Sequence, residues 1–365
     1  MVIALAVTLA AIGSPVGGPV AARAAPPRRI TIAFSGEELA TSETWPRAKD
    51  NAGGHGYDFG PMLAPLRSML NSVDLAICHL ETPLDGPGVP LSDYPRFAVP
   101  HQLADAIKAA GYDGCSTASN HSLDQGASGI RTTLRRLDEV GLLHTGTARS
   151  ARERRRTTMY SVDGVTIAHL SFTASFNGIT PAYAWQANRI DPAHILKDAR
   201  RARRRGADLV VVSLHWGDEF HHDPTAYQRT VARQLLRGDA VDLIVGHHAH
   251  VVQPIRRLEG NWVAYGMGNS FSGMRDRLSG AHVQDGFILV AVFEDGPRGW
   301  HIEKVRFAPT WVQPGTFVVR LVGPAIDDGT LPGAIVTELR RSWRRTVRYV
   351  DAKSLGVWPI RASTI

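Results

Sequence analysis

The chain has 365 residues, 44% hydrophobic and 21% charged, enough apolar material for one large core or two modest ones. That composition excludes a disordered tail, a collagen-like fibre and a disulfide-dense miniprotein. The 41 Lys and Arg exceed the 34 Asp and Glu by seven, a balance that permits anionic polymers, nucleic acid or membrane surfaces as partners without requiring any of them.

Residues 2–12 form an almost unbroken apolar run closed by Gly13-Ser14-Pro15. That is too short to cross a hydrocarbon core, which needs about 20 residues, but it matches the apolar stretch of a secretory signal. Ala22-Arg23-Ala24 suits signal peptidase cleavage, although no Lys or Arg precedes Arg23. Residues 1–27 are therefore expected to be a signal peptide or a disordered leader. Export to the cell envelope or beyond is expected, with no transmembrane span in the mature chain.

Residues 30–34, 73–78, 209–214 and 241–245 read as buried strands. Helical periodicity runs over 102–110, 129–140, 192–205 and 225–237. Strand alternating with helix indicates a layered α/β fold. Asp163-Gly164 between two β-rich runs signals a hairpin, as does Asp295-Gly296-Pro297 between residues 287–293 and 301–307. These antiparallel additions indicate a two-sheet sandwich rather than one open sheet. After Val322 comes a turn-rich connection and an amphipathic helix, so the expected division is leader 1–27, main domain 28–321 and extension 322–365. Cys78 and Cys115 both sit in apolar runs and are expected as buried free thiols, a disulfide requiring that their strands be adjacent. No CxxC spacing exists, which excludes thiolate metal chemistry. Three arginine clusters, at 152–156, 200–205 and 340–348, read most simply as solvated helix faces, the sharper alternative being a track for an anionic polymer. Without interleaved aromatics they give no nucleic-acid site.

The chemistry gathers where strands end. Ser35-Gly36-Glu37 follows the first run, His79-Leu80-Glu81 the second, and Ser119-Asn120-His121 with Asp124 follows Cys115. His215-Trp216-Gly217-Asp218-Glu219 and Gly246-His247-His248-Ala249-His250 follow the other two. Loops at the carboxyl ends of α/β strands converge on one rim, where ligands bind. Singly, each has a plain structural reading: a turn at Gly36-Glu37, a helix N-cap at Asn120, a helix-start carboxylate at Asp124, a surface histidine anywhere. His248 and His250, alternate residues of an extended segment, face one side. Imidazole, carboxylate and amide oxygen converging from five strand ends suit zinc, manganese or iron.

In these motifs the chain resembles the CapA-like proteins of poly-γ-glutamate synthesis, which have the calcineurin-like metallophosphatase fold, a four-layer α/β/β/α sandwich. The likeness runs from about residue 30 to 307. The family's Gly-Asp appears as Gly36-Glu37, its Asn-Leu-Glu as His79-Leu80-Glu81, and its Asn-Asn-His then Asp-x-Gly as Ser119-Asn120-His121 and Asp124-Gln125-Gly126. His-Trp-Gly appears at 215–217, Gly-x-His-Pro-His at 246–250, and Tyr-Ser-Leu-Gly-Asn as Tyr265-Gly266-Met267-Gly268-Asn269. Glu37 and His79 depart from the family aspartate and asparagine, and the Asp-x-His opening of calcineurin-like phosphatases is missing because residue 39 is Leu. The resemblance implies one or two divalent ions held by Asn120, His215, His248, His250 and Glu81, with Glu37 a further candidate ligand. It implies His121 as the donor of a proton to a leaving oxygen. Asp124, Asp218 and Glu219 would orient it or the ligand imidazoles, and Asp124 and Glu37 complete the candidate catalytic set.

Three functions follow as expectations. The first is a metal-dependent hydrolase acting on a phosphoester or amide of an anionic polymer or peptide. The second is a non-catalytic factor working with envelope machinery for poly-γ-glutamate assembly or export. The third is a metal-dependent peptide epimerase, with a carboxylate and a histidine as opposed acid and base.

Overall fold

The computed structural model describes Val2 and residues 27–275, 282–297, 299–351 and 357–360. The leader expected over 1–27 lies, but for Val2 and Pro27, outside the described residues. Each apolar run becomes a strand with both faces covered. The strands, in chain order, are β1 (Arg29–Leu39), β2 (Leu75–Leu80), β3 (Gly114–Ser116), β4 (Leu143–Thr145), β5 (Thr158–Val162), β6 (Val165–Thr173), β7 (Leu209–His215) and β8 (Leu243–His247). Then come β9 (Ile255–Leu258), β10 (Asn261–Ala264), β11 (Asn269–Ser272), β12 (Asp285–Gly296), β13 (Gly299–Val312), β14 (Val319–Leu321) and β15 (Trp358–Pro359).

They form two sheets. One has the order β14-β13-β12-β1-β2-β3-β4, with β11 beside β1 and β15 beside β13; the other runs β5-β6-β7-β8-β10-β9. Both expected hairpins are present, as β5–β6 and β12–β13. Side-chain alternation explains the layering. Ile30, Ile32 and Phe34 of β1 meet Leu209 and Val211 of β7 between the sheets, with Phe287 and Phe307. Ala33 faces outward onto Leu103, Ile107, Leu134 and Leu137. These belong to helices Leu103–Ala110 and Gly126–Val140. On the other side Val210, Val212 and Leu214 face Ile195, Ala199, Val231 and Leu235, from helices Pro192–Arg204 and Ala226–Leu236. The result is the expected α/β/β/α sandwich. Among the described residues no helix is long and apolar enough to cross a membrane.

The cysteines correct the expectation of free thiols. Parallel pairing of β2 with β3 sets Cys78 directly opposite Cys115, their Cα atoms 4.4 Å apart, and the two form a disulfide. After β14, helix Gly333–Val350 packs Leu339 against Trp311 and Val322. Its Arg345 grips Asp285 at the start of β12 with two bonds, 2.6 and 2.9 Å.

Candidate metal centre

The carboxyl ends of β1, β2, β3, β7 and β8 meet at one rim, and each contributes a polar side chain. Strand β1 continues past Phe34 but slips register against β2 between Phe34 and Glu37. The slip brings the Glu37 N–H to the Gly268 carbonyl at 3.1 Å. Gly36 permits this approach, since a Cβ there would lie 1.7 Å from that carbonyl oxygen. Glu81 follows β2, and Asn120, His121 and Asp124 occupy the turns between β3 and helix Gly126–Val140. His215 is the last residue of β7. His248 and His250 follow β8, but not in extended backbone: their φ angles are 93° and 55°. The two imidazoles thus reach the site through a left-handed turn that costs on the order of 1–3 kcal/mol per residue, not through the strand-like alternation expected.

These residues form one buried network. Ligand atoms of Glu37, Glu81 and His250 all lie within 4.8 Å of one another. Glu81 Oε1 is 3.8 Å from His250 Nε2 and 4.0 Å from His215 Nε2. His215 Nε2 lies 2.9 Å from Asn120 Oδ1, and its ring centroid is 4.6 Å from that of His248. The His248 backbone N–H donates to Glu37 Oε1. Apart from this, His121 Nδ1 bonds Asp124 Oδ2 at 2.7 Å, and the same oxygen accepts the Phe97 N–H at 2.8 Å. Asp124 is therefore no helix cap; it holds His121, whose ring also meets Phe97 edge-on at 4.7 Å.

Burial perturbs the glutamates and histidines that would hold the ion. Loss of solvation lifts Glu37 to about 8 and Glu81 well above the usual carboxylate range, the Glu37 charge adding to the latter. Burial likewise lowers His250 to about 3 and His248 to about 4, and holds His215 well below its ordinary value.

The donor set fits a divalent ion. Both Glu81 oxygens, Glu37 Oε2 and His248 Nδ1 are buried without a hydrogen-bond partner, a costly state unless a cation completes it. Atoms bound about 2.1 Å from a zinc-sized ion lie roughly 3–3.5 Å apart, so small inward shifts of Glu81 and His250 close the set. His250 already presents Nε2, because Nδ1 is engaged by Asn269 Oδ1 at 3.1 Å.

Sequence reasoning assigned no role to Asn269, quoted only within a motif, or to His79, noted only as a departure. His79 lies inside β2, stacked on His247 at 4.0 Å and bonded to His215 at 2.9 Å. A histidine within an otherwise apolar, fully buried strand was the available signal.

The centre opens into a cleft of about 760 Å³ walled by Leu39, Phe97, Phe220 and Met274, with Glu81, His121, Glu219 and His250 at its polar side. The bacterial capsule synthesis protein PGA_cap family model matches residues 31–274, which holds every residue of this centre. The chain belongs to that family. Within the PGA_cap family it is 32% identical to capsule biosynthesis protein CapA of Bacillus anthracis over 48% of this chain and 43% of that one. It is 34% identical to PGA biosynthesis protein CapA of Bacillus subtilis over 45% of this chain and 43% of that one. The matched region thus spans less than half of either relative. A candidate 5′-nucleotidase of Staphylococcus aureus superposes with a TM-score of 0.50 at 14% identity, over 86% of this chain and 58% of that one. A calcineurin-like phosphoesterase of Bacillus subtilis, YfkN, gives 0.48 at 12% identity, over 89% of this chain and 100% of its own. The staphylococcal superposition agrees with the two-sheet α/β/β/α sandwich that the sequence of this PGA_cap chain led us to expect.

Proposed function

We propose that this PGA_cap chain is a metal-dependent hydrolase of the cell envelope, acting on a phosphoester or amide bond of an anionic substrate. One observation carries the reading: Glu81 is buried with neither carboxylate oxygen hydrogen-bonded, between the Nε2 atoms of His215 and His250, at the edge of a cleft shared with His121. Glu37, Glu81, Asn120, His215, His248 and His250 would hold one or two ions of zinc, manganese or iron. When bound, such an ion supplies Lewis acidity, lowering the pKa of water towards neutrality and polarising an acceptor oxygen. The chain's own residues supply the rest. Asp124 fixes His121 through Nδ1, which leaves Nε2 to pass a proton to a leaving oxygen. Leu39, Phe97, Phe220 and Met274 exclude water from one wall of the cleft.

The test is metal content by plasma mass spectrometry on wild type and a His248→Ala/His250→Ala variant, with release of phosphate or glutamate from model substrates. One or two equivalents with turnover, both lost in the variant, are expected. Metal without turnover on either substrate points to an assembly factor, and no metal after reconstitution with zinc, manganese and iron sinks the hydrolase.

A second reading, peptide epimerisation, is favoured by Glu219, which lines with His121 a cavity of about 310 Å³ and so offers a carboxylate and a histidine on the same space. It predicts solvent deuterium entering a peptide that is not cleaved.

A further inference from the structure

His79, where the family carries asparagine, belongs to an unbroken line of buried hydrogen bonds. Ser116, opposite it on β3, places Oγ 2.8 Å from His79 Nδ1. His79 Nε2 lies 2.9 Å from His215 Nδ1, and His215 Nε2 lies 2.9 Å from Asn120 Oδ1. At the far end the Cys78 carbonyl is 3.4 Å from Ser116 Oγ. His79, Ser116 and His215 are each 0 or 1% exposed.

The chemistry of the end groups fixes which way the protons run. An amide oxygen only accepts, and a neutral imidazole has one donor and one acceptor nitrogen. When His215 bonds Asn120, its proton is on Nε2 and Nδ1 is bare. His79 must then carry its proton on Nε2, and the Ser116 hydroxyl donates to His79 Nδ1. In this order His215 has no lone pair to offer a cation. The reverse order is equally complete. His215 Nδ1–H donates to a bare His79 Nε2, His79 Nδ1–H donates to Ser116 Oγ, and the Ser116 hydroxyl turns to the Cys78 carbonyl. Both Asn120 Oδ1 and His215 Nε2 are then free on the site side. The change conserves charge: both orders hold the same three protons, each imidazole carrying its own on Nδ1 instead of Nε2 after exchange with solvent in a brief local opening, while the Ser116 hydroxyl turns about its C–O bond.

We infer that His79 is a positioning residue that holds His215 in either of these two proton orders, so that a divalent cation selects the one with a bare Nε2. The inference rests on the reading of this centre as a metal site. It needs both nitrogens of the His79 ring.

Long-range proton–nitrogen spectra of ¹⁵N-labelled full-length protein, chelated and then loaded with Zn²⁺, read the tautomers directly. Expected is Nε2–H on His79 and His215 in the chelated protein and Nδ1–H on both with Zn²⁺. Competition with a chromogenic chelator gives the Zn²⁺ affinity. His79→Phe, which keeps a ring against His247 but no hydrogen bond, should bind about 10- to 100-fold more weakly. His79→Gln, whose amide can donate or accept, should recover most of that loss. Uptake of Zn²⁺ by wild type without a tautomer change at His215 overturns the inference alone. So does binding by His79→Phe within twofold of wild type. No uptake by wild type overturns the metal-centre reading and the inference with it. If His79→Phe does not melt cooperatively, the wild-type spectra and His79→Gln still decide.

Discussion

Burial makes opposite demands on the two kinds of ionisable side chain that meet at this centre, and the pH dependence of the metal-free protein should show both. Burial raises Glu37 to about 8, Glu38 to about 7 and Glu81 well above its ordinary value. Their contribution to stability is full below the unfolded value near 4.5 and is lost as pH rises through 7 to 8. Burial lowers His169, His247 and His250 to about 3 and His248 to about 4, and holds His79 and His215 well down. Their contribution is present above the unfolded value near 6.5 and is lost as pH falls towards 3 to 4. Between about 4.5 and 6.5 the histidines outnumber the carboxyls; above that range the carboxyls act almost alone. The melting temperature of chelated protein should therefore peak near pH 6.5 and decline on both sides. Saturating Zn²⁺ should remove most of the alkaline decline by neutralising Glu37 and Glu81, leaving the part that belongs to Glu38. A chelated protein whose stability rises steadily to pH 8 would mean that these carboxylates are solvated.

At the scale of elements, the strand β1 and the turn that receives it depend on one absent side chain. Gly36→Ala sets a Cβ 1.7 Å from the Gly268 oxygen, so the contact between β1 and β11 must open. The register partners Glu37 and Asn269 then move apart, taking with them the residue that orients His250. We expect a loss of about 1–3 kcal/mol by thermal or denaturant unfolding, accompanied by reduced metal content. Gly333→Ala, with no atom within 4 Å of the new Cβ, should change neither. An unaltered metal content in Gly36→Ala would show that the ligands tolerate a shifted β1. This seam also marks the limit of what the sequence reveals. Helices such as Ala226–Leu236 are legible because their period is local and a capping box at Thr225 and Gln228 starts them. The polar groups after each strand are legible because they interrupt apolar runs. The pairing of Cys78 with Cys115, the bulge before Glu37, the left-handed turn at His248 and the Asn269–His250 bond all depend on which strand lies beside which. That is set by contacts far apart in the chain, and no local period encodes it.

For the whole molecule, the question is where its positive charge lies. The surplus of seven is not in the cleft, where Glu43, Glu81, Asp93 and Glu219 face Arg275. It sits on exposed arginines of the clusters, among them Arg155, Arg156, Arg204, Arg205, Arg340, Arg344 and Arg348. Charges so exposed act on a long anionic chain through solvent, over a screening length of about 8 Å at physiological salt. A short substrate that fits wholly in the cleft meets little of that field. If the anionic substrate of the proposed hydrolase is poly-γ-glutamate, its binding should therefore weaken about tenfold or more between 50 and 300 mM salt. It should weaken at fixed salt in Arg340→Glu/Arg344→Glu/Arg348→Glu, while turnover of a small phosphoester changes less than twofold under both conditions. Titration of the polymer by fluorescence anisotropy alongside a chromogenic phosphoester assay separates the two. Equal salt dependence for polymer and small substrate would place the polymer's binding in the cleft itself. The four acidic residues there would then have to be neutralised by bound metal before any polyanion could enter.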